Sequence, residues 1–352
     1  MFKDFSNTYI PMIDQSIKDF FRKKRENAEF EFIENLYSDL EEYCIRKGKR
    51  VRPLLLLLSY LGYSRRKDNL DAIIRIASIL EMMHSFLLIQ DDIIDNSLIR
   101  RGSDALHVVS YDRYCDITWN SNIGRDVAIV MGDILFSNAL EIIGELRINP
   151  RIKDEFIKLF AKTYELTACG QILDSLHSLP VRIDINSPAP MQISALKTAH
   201  YTILSPMLMG FLLSRSKEDG EGERIREFSI PLGLAFQVRD DILGVFGSIE
   251  DTGKSLNSDI EEGKLTLLIQ NTARNLKGGE RDEFLSLFTK KKKTKREIDS
   301  IKCMIRRSGA LSISEKKLGE LIDTTRETLL SLRMKREEKD ILSGFIDLIT
   351  KL

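Results

Sequence analysis

The sequence predicts an all-α fold, a single large helical domain spanning residues 1–352. Three observations point there. Apolar residues recur at helical spacing, as in IIRIASILEMMHSFLLI, EFIKLFAKTYELTACGQIL and EKDILSGFIDLI. No segment alternates apolar and polar residues convincingly enough to read as a strand ladder. The 8 prolines and 20 glycines are few for this length and gather at breaks between helices: Gly48, Gly102, Pro150, SLPVRIDINSPAP at 178–190 and EDGEGE at 218–223. The proline-rich stretch could end a domain. The chemical motifs on its two sides need each other, so it reads as a loop inside one domain.

With 43% hydrophobic and 30% charged residues, the composition is that of a soluble globular protein. Its 53 basic and 53 acidic residues balance, which leaves no global field for nucleic acid and requires any anion site to come from local clustering. Cys44, Cys115, Cys169 and Cys303 show neither zinc-like nor disulfide-like spacing, so a reducing, cytoplasmic home is expected. The opening MFKDFSNTYIPMIDQSIKDFF has no signal-peptide core, and the longest apolar run, near LLLLLSYLGY, falls short of a membrane span. No transmembrane segment is expected. The basic run TKKKKTKRE at 289–297 reads as a solvated loop, and residues 270–352 as C-terminal packing helices.

The chemistry concentrates in SFLLIQDDIIDNSLIRRG, residues 85–102. On a helix turning about 100° per residue, Asp91 and Asp95 share one face with Asp92 beside them. Carboxylates that close repel unless a cation compensates, and hard oxygen ligands at this density suit Mg²⁺. FQVRDDILGVFG at 236–247 repeats the pattern, placing Gln237, Asp240, Asp241 and Gly244 along a second helical stripe. Basic residues accompany both: GKRVRP at 48–53, Arg100, Arg101, Lys197, Lys254 and Lys264. Together they suggest a cavity that binds polyanions.

GSIEDTGKS at 247–255 is not a phosphate loop, because its glycine spacing is one residue too long and no apolar helix follows Lys254. Histidines 84, 107, 177 and 200 have no zinc-like spacing. No nucleophilic triad is evident. Chemistry by metals, cations and a dry apolar pocket remains.

GKRVRPLL, LEMMHSFLLIQDDIID with RRG after it, MGDILFSNA, GQILD, KTAHYT and FQVRDDILG…GKSLNSDIEEGK stand in the order found in the trans-isoprenyl diphosphate synthases, or polyprenyl synthases. The chain resembles that family over residues 44–268, and its archaeal geranylgeranyl diphosphate synthases most. The resemblance implies antiparallel helices around a central catalytic cavity, a homodimer, and two aspartate motifs facing each other. It implies two or three Mg²⁺ ions, with Asp91, Asp95 and Asp240 as ligands, Asp241 nearby, and Gln171 and Asp174 orienting water and metal. Arg100, Lys197 and Lys254 would assist the allylic diphosphate. Lys49, Arg52, His84 and Arg101 would hold isopentenyl diphosphate, Lys264 would join the substrate-binding set, and Thr198 and Gln237 would line the reacting centre. Ionisation of the allylic C–O bond, attack by the isopentenyl double bond and proton loss to the released diphosphate would follow.

Product length would be set below the first aspartate motif. Helix geometry puts Leu87 about 40° from the Asp91 stripe and Phe86 about 140° away. The resemblance favours Phe86 as the floor, since an aromatic five residues before the motif goes with a twenty-carbon product. The alternatives are a farnesyl or longer-chain synthase, a helical terpene cyclase and a non-catalytic subunit of a heteromeric synthase. GKRVRP, His84 and Arg101 favour condensation over cyclisation, and the nearly complete motifs favour catalysis. Two positions depart from the pattern: Gly244 replaces a common third aspartate, and Gln90 stands where a histidine or apolar residue is often found. Met82 and Met83 are read as core, and His107 as structural.

Overall fold

The computed structural model describes residues 1–65, 69–178, 183–247 and 257–350. Helices dominate: α1 Phe2–Glu26, α2 Glu31–Ile45, α3 Val51–Tyr63, α4 Leu70–Asp95, α5 Leu106–Tyr114, α6 Ile123–Glu145 and α7 Pro150–His177. After the proline-rich stretch, α8 Ala189–Ile193 runs into a π-helical segment, Ser194–Leu204, and on into α9 Ser205–Ser214. Then follow α10 Glu221–Phe246, α11 Ser258–Glu261, α12 Leu267–Asn275, α13 Gly278–Phe288, α14 Lys295–Arg307, α15 Ala310–Ser331 and α16 Arg336–Thr350. The helical expectation holds with one correction: Ile99–Arg100 pairs antiparallel with Ser103–Asp104 as a two-residue hairpin too short to leave an alternating pattern.

Contacts divide the chain into two compact units. One comprises Met1–Leu159, Pro206–Lys217 and Met334–Ile341; the other comprises Phe160–Ser205, Glu218–Arg333 and Leu342–Leu352. The proline-rich stretch therefore begins and ends inside the second unit.

In the first unit, α3 is apolar all round and accordingly buried from Pro53 through Tyr63. It packs on α4, which also receives α1 and α6. Met82 and Met83 are core residues of α4. Both α4 and α6 are long and apolar enough to cross a membrane, which the reading of LLLLLSYLGY as the longest apolar run overlooked. In α4, 72% of the apolar window is buried, as befits a core helix; in α6 the share is 44%.

In the second unit, Phe284 and Phe288 stack at 5.8 Å within a core that includes Leu268, Ile301 and Ile305. The basic run becomes the α13–α14 connection. Lys290, Lys291 and Lys292 are exposed, while Thr294 and Glu297 form a reciprocal capping box that starts α14.

The π-helical segment is pressed from two sides by helices that carry glycine at the contact. A Cβ at Gly233 of α10 would fall 2.3 Å from the Ala199 Cα, and one at Gly170 of α7 would fall 2.8 Å from the Leu196 Cβ. Gly233→Ala should therefore cost roughly 1–3 kcal/mol or more, because backbone rather than a flexible side chain must give way. Urea denaturation measures it; unchanged stability would show that the segment is not held by this close approach.

Candidate active site

The first aspartate motif closes α4. Asn96 adopts a left-handed φ of 54°, which ends the helix just past Asp95. The chain then doubles back through the hairpin, whose turn residues Arg101 and Gly102 have φ of 56° and 80°. Two successive positive angles are what a type I′ turn requires, and they return Arg100 and Arg101 onto α4. Arg100 donates from Nε to Asp92 Oδ1 at 2.7 Å and from Nη2 to the same oxygen, with Asp91 Oδ2 3.6 Å from Nη2. Tyr43 of α2 donates to the other Asp92 oxygen at 3.1 Å. Burial raises the Asp92 carboxyl, and the hydrogen bonds from Arg100 oppose that rise. Asp92 thus faces inward as an anchor, while Asp91 and Asp95 are only partly buried.

The basic loop GKRVRP leads into α3 in the same unit. Lys49 is exposed, Arg52 partly buried, and Arg50 between them buried. Gly48 leaves room for the arginines, since a Cβ there would lie 3.1 Å from both the Arg101 Cζ and the Arg50 Nη1. His84 lies seven residues before Asp91. Burial first, then the guanidiniums of Arg52, Arg101, Arg100 and Arg50, hold its pKa well below the usual histidine value. It is therefore a neutral imidazole at pH 7.

Phe86 is buried, its ring 5.7 Å from that of Phe136 on α6, and a Cβ at Gly132 would lie 3.2 Å from it. Leu87 is half-exposed. Helix angle alone favoured Leu87, but the packing of α6 gives Phe86 the enclosed position.

The second unit carries the other motif. Lys197, in the π-helical segment, donates to Asp174 Oδ2 of α7 at 2.6 Å. Thr198 donates to Gln237 Oε1, and Gln237 Nε2 donates to Asp241 Oδ1 at 2.7 Å. Asp241 is buried, and burial, then the charge of Asp259, push its carboxyl well above the usual range. Asp240 keeps 43% side-chain exposure beside Arg239 at 3.5 Å, so the two aspartates of this motif differ in burial. Gln171 Nε2 is buried without a hydrogen-bond partner among the described residues. Lys264 pairs with Glu262 at 2.7 Å, and its backbone bridges Ser178. Lys254 and most of GSIEDTGKS lie outside the described residues.

At Gly244 a Cβ would stand 2.5 Å from Asp259 Oδ2, so a carboxylate from α11 fills the space beside it. Sequence reasoning missed Asp259, and it missed Tyr43 and Glu81 as well. Glu81 had left a signal: a carboxylate inside an apolar helix has to be paired.

The donor set suits magnesium. Hard carboxylate oxygens are the ligand type this ion prefers, and among the described residues no three His, Cys, Asp or Glu side chains gather closely enough to hold an ion by themselves.

A family model described as polyprenyl synthetase matches residues 34–305. The geranylgeranyl diphosphate synthase of Saccharolobus solfataricus is 28% identical over 325 residues, covering 89% of this chain and 91% of that one. The geranylfarnesyl diphosphate synthase of Aeropyrum pernix is 30% identical over 311 residues, covering 86% and 90%. A geranylgeranyl pyrophosphate synthase of Corynebacterium glutamicum, solved with isoprenyl diphosphate and magnesium, superimposes with a TM-score of 0.90 at 22% identity over 98% of this chain and 99% of that one. The aspartate motifs, the basic loop and the helical frame are thus those of a known group: this chain belongs to the polyprenyl synthetase family of trans-prenyltransferases.

Proposed function

We propose that the protein is a magnesium-dependent geranylgeranyl diphosphate synthase, condensing isopentenyl diphosphate with allylic diphosphates up to twenty carbons. The observation that carries the product length is the enclosed Phe86 ring, five residues before Asp91 and packed on Gly132 and Phe136. Relatives are named for geranylgeranyl, geranylfarnesyl and nonaprenyl products, so the choice among them rests on Phe86.

In this reading Asp91, Asp95 and Asp240 would hold magnesium, with Asp174 and Gln171 orienting water and metal, and the ion would supply positive charge to the departing diphosphate. Lys197, Lys254 and Arg100 add positive charge on the allylic diphosphate, and Asp92 fixes where Arg100 can reach. Lys49, Arg52, His84 and Arg101 bind isopentenyl diphosphate, with Lys264 a further cation for substrate. Thr198 and Gln237 present fixed dipoles to the reacting carbons, and the apolar face of α4 excludes water from them. All 352 residues serve as one synthase domain. The free thiols, with Cys44 buried, suit a cytoplasmic location.

The chain is further proposed to work as a homodimer. Ile129, Val130 and Leu140 are exposed apolar residues on α6, a helix otherwise as apolar as a core helix.

Three outcomes are expected. Incubated with Mg²⁺, isopentenyl diphosphate and each allylic diphosphate in turn, the wild type should accumulate the twenty-carbon product, and Phe86→Ala or the milder Phe86→Leu should shift products beyond it. An unchanged product distribution in both variants would make Phe86 a packing residue only. Asp91→Ala should lose roughly 100-fold or more in turnover with its melting temperature kept, and near wild-type turnover at saturating Mg²⁺ would remove Asp91 from the metal site. By light scattering the wild type should have the mass of a dimer and Ile129→Asp/Val130→Asp that of a monomer; a monomeric wild type would contradict the dimer.

A further inference from the structure

Four charged side chains meet in the first unit where the sequence shows only an apolar helix and a basic loop. Glu81 of α4 has a side chain only 1% exposed, and one of its oxygens, Oε1, accepts from Arg50 Nη1 at 2.6 Å and from Arg101 Nη2 at 2.8 Å. Arg50 also donates from Nε to Asp14 of α1 at 2.9 Å. Both arginines take left-handed backbone angles, φ 47° at Arg50 and 56° at Arg101. Such angles cost free energy in residues with a Cβ and persist only where the surroundings over-determine them. Burial pushes the Glu81 carboxyl up, but Arg50 and then Arg101 outweigh it and hold it below the usual range. The carboxylate is therefore ionised at pH 7.

This carboxylate has no place in the metal or diphosphate assignments. Asp14 balances Arg50, so the two arginines and two carboxylates of the cluster cancel in charge, yet both guanidiniums converge on one Glu81 oxygen. After both bonds are made, Arg50 Nη2 and Arg101 Nη1 remain buried with no hydrogen-bond partner among the described residues. Buried donors left over in this way point to an arrangement selected for where it holds a cation, since stability alone favours either satisfied donors or an apolar replacement.

We infer that Glu81 is a positioning residue for isopentenyl diphosphate: its buried carboxylate, braced by Arg50, fixes the Arg101 guanidinium at the tip of the hairpin in its diphosphate-binding pose. The inference rests on the proposed role of Arg101. Without Glu81, Arg101 would have to be ordered at the moment of binding, which weakens the complex with no change in the chemical step. The effect should fall on isopentenyl diphosphate and spare the allylic substrate.

The test compares Glu81→Gln, Arg101→Ala, Asp14→Asn and the double variant Glu81→Gln/Arg50→Gln in steady-state kinetics, with melting temperatures alongside. Arg101→Ala examines the underlying reading: it should raise the KM for isopentenyl diphosphate, and an unchanged KM would overturn that reading and the inference with it. With Arg101 established, Glu81→Gln should raise the same KM about tenfold, leaving kcat and the allylic KM within about twofold. Asp14→Asn lets go of Arg50 alone, so it should lower the melting temperature and leave the KM near wild type. If Glu81→Gln does not fold, the double variant removes the excess positive charge that this substitution leaves in the cluster and should still show the raised KM. A wild-type KM in either folded Glu81 variant, or an equal rise in both substrates' KM, would overturn the inference.

Discussion

A carboxylate inside an apolar helix must find a cation, and α4 contains two that are almost wholly buried, Glu81 and Asp92. Each takes an arginine from one short hairpin, Arg101 for Glu81 and Arg100 for Asp92, and Arg50 of the basic loop joins Arg101 on Glu81. The hairpin can supply both because its turn takes two positive φ angles, at Arg101 and Gly102. Breaking a buried pair of this kind is strongly destabilising, roughly 3–5 kcal/mol for loss of one partner. The first aspartate motif, the basic loop and the end of α4 are all fixed by that requirement. Asp92 takes up Arg100, and this separates its role from that of Asp91 and Asp95 on the less buried side of the helix.

The second unit meets its constraint with backbone instead. Gly170 and Gly233 let α7 and α10 press on the π-helical segment, and the wider helical turn sits where Lys197 and Thr198 emerge. π-Helical insertions recur at functional sites because they re-aim side chains that a regular helix would carry round. From there Lys197 meets Asp174, and Thr198 begins the chain of hydrogen bonds that runs through Gln237 to Asp241.

The helical class, the two aspartate stripes and the basic loop were legible because each is a local pattern of period or composition. The hairpin was not, since two residues per strand leave no alternation to read. Nor was the use of Asp259 beside Gly244, because the two are 15 residues apart and meet only through tertiary packing. Phe86 shows the limit of angular reasoning on one helix: spacing gives its direction relative to Asp91, but its burial depends on Gly132 and Phe136 of another helix. Glu81 was legible in principle, as a charge among apolar neighbours, yet its partners lie at 50 and 101, where sequence shows cations without showing their targets.

The central proposal is that Asp91, Asp95 and Asp240 serve a metal, while the buried Glu81 and Asp92 serve the arginines. Calorimetric titration of the wild-type protein with an unreactive thiolodiphosphate analogue of an allylic substrate, in excess Mg²⁺ and again with the metal chelated, tests it most directly. The account predicts tight binding with Mg²⁺ and binding weakened by about 100-fold or more without it, since the carboxylates then repel the diphosphate. Equal affinity in both conditions would contradict it, because the cations of the protein would then hold the diphosphate unaided.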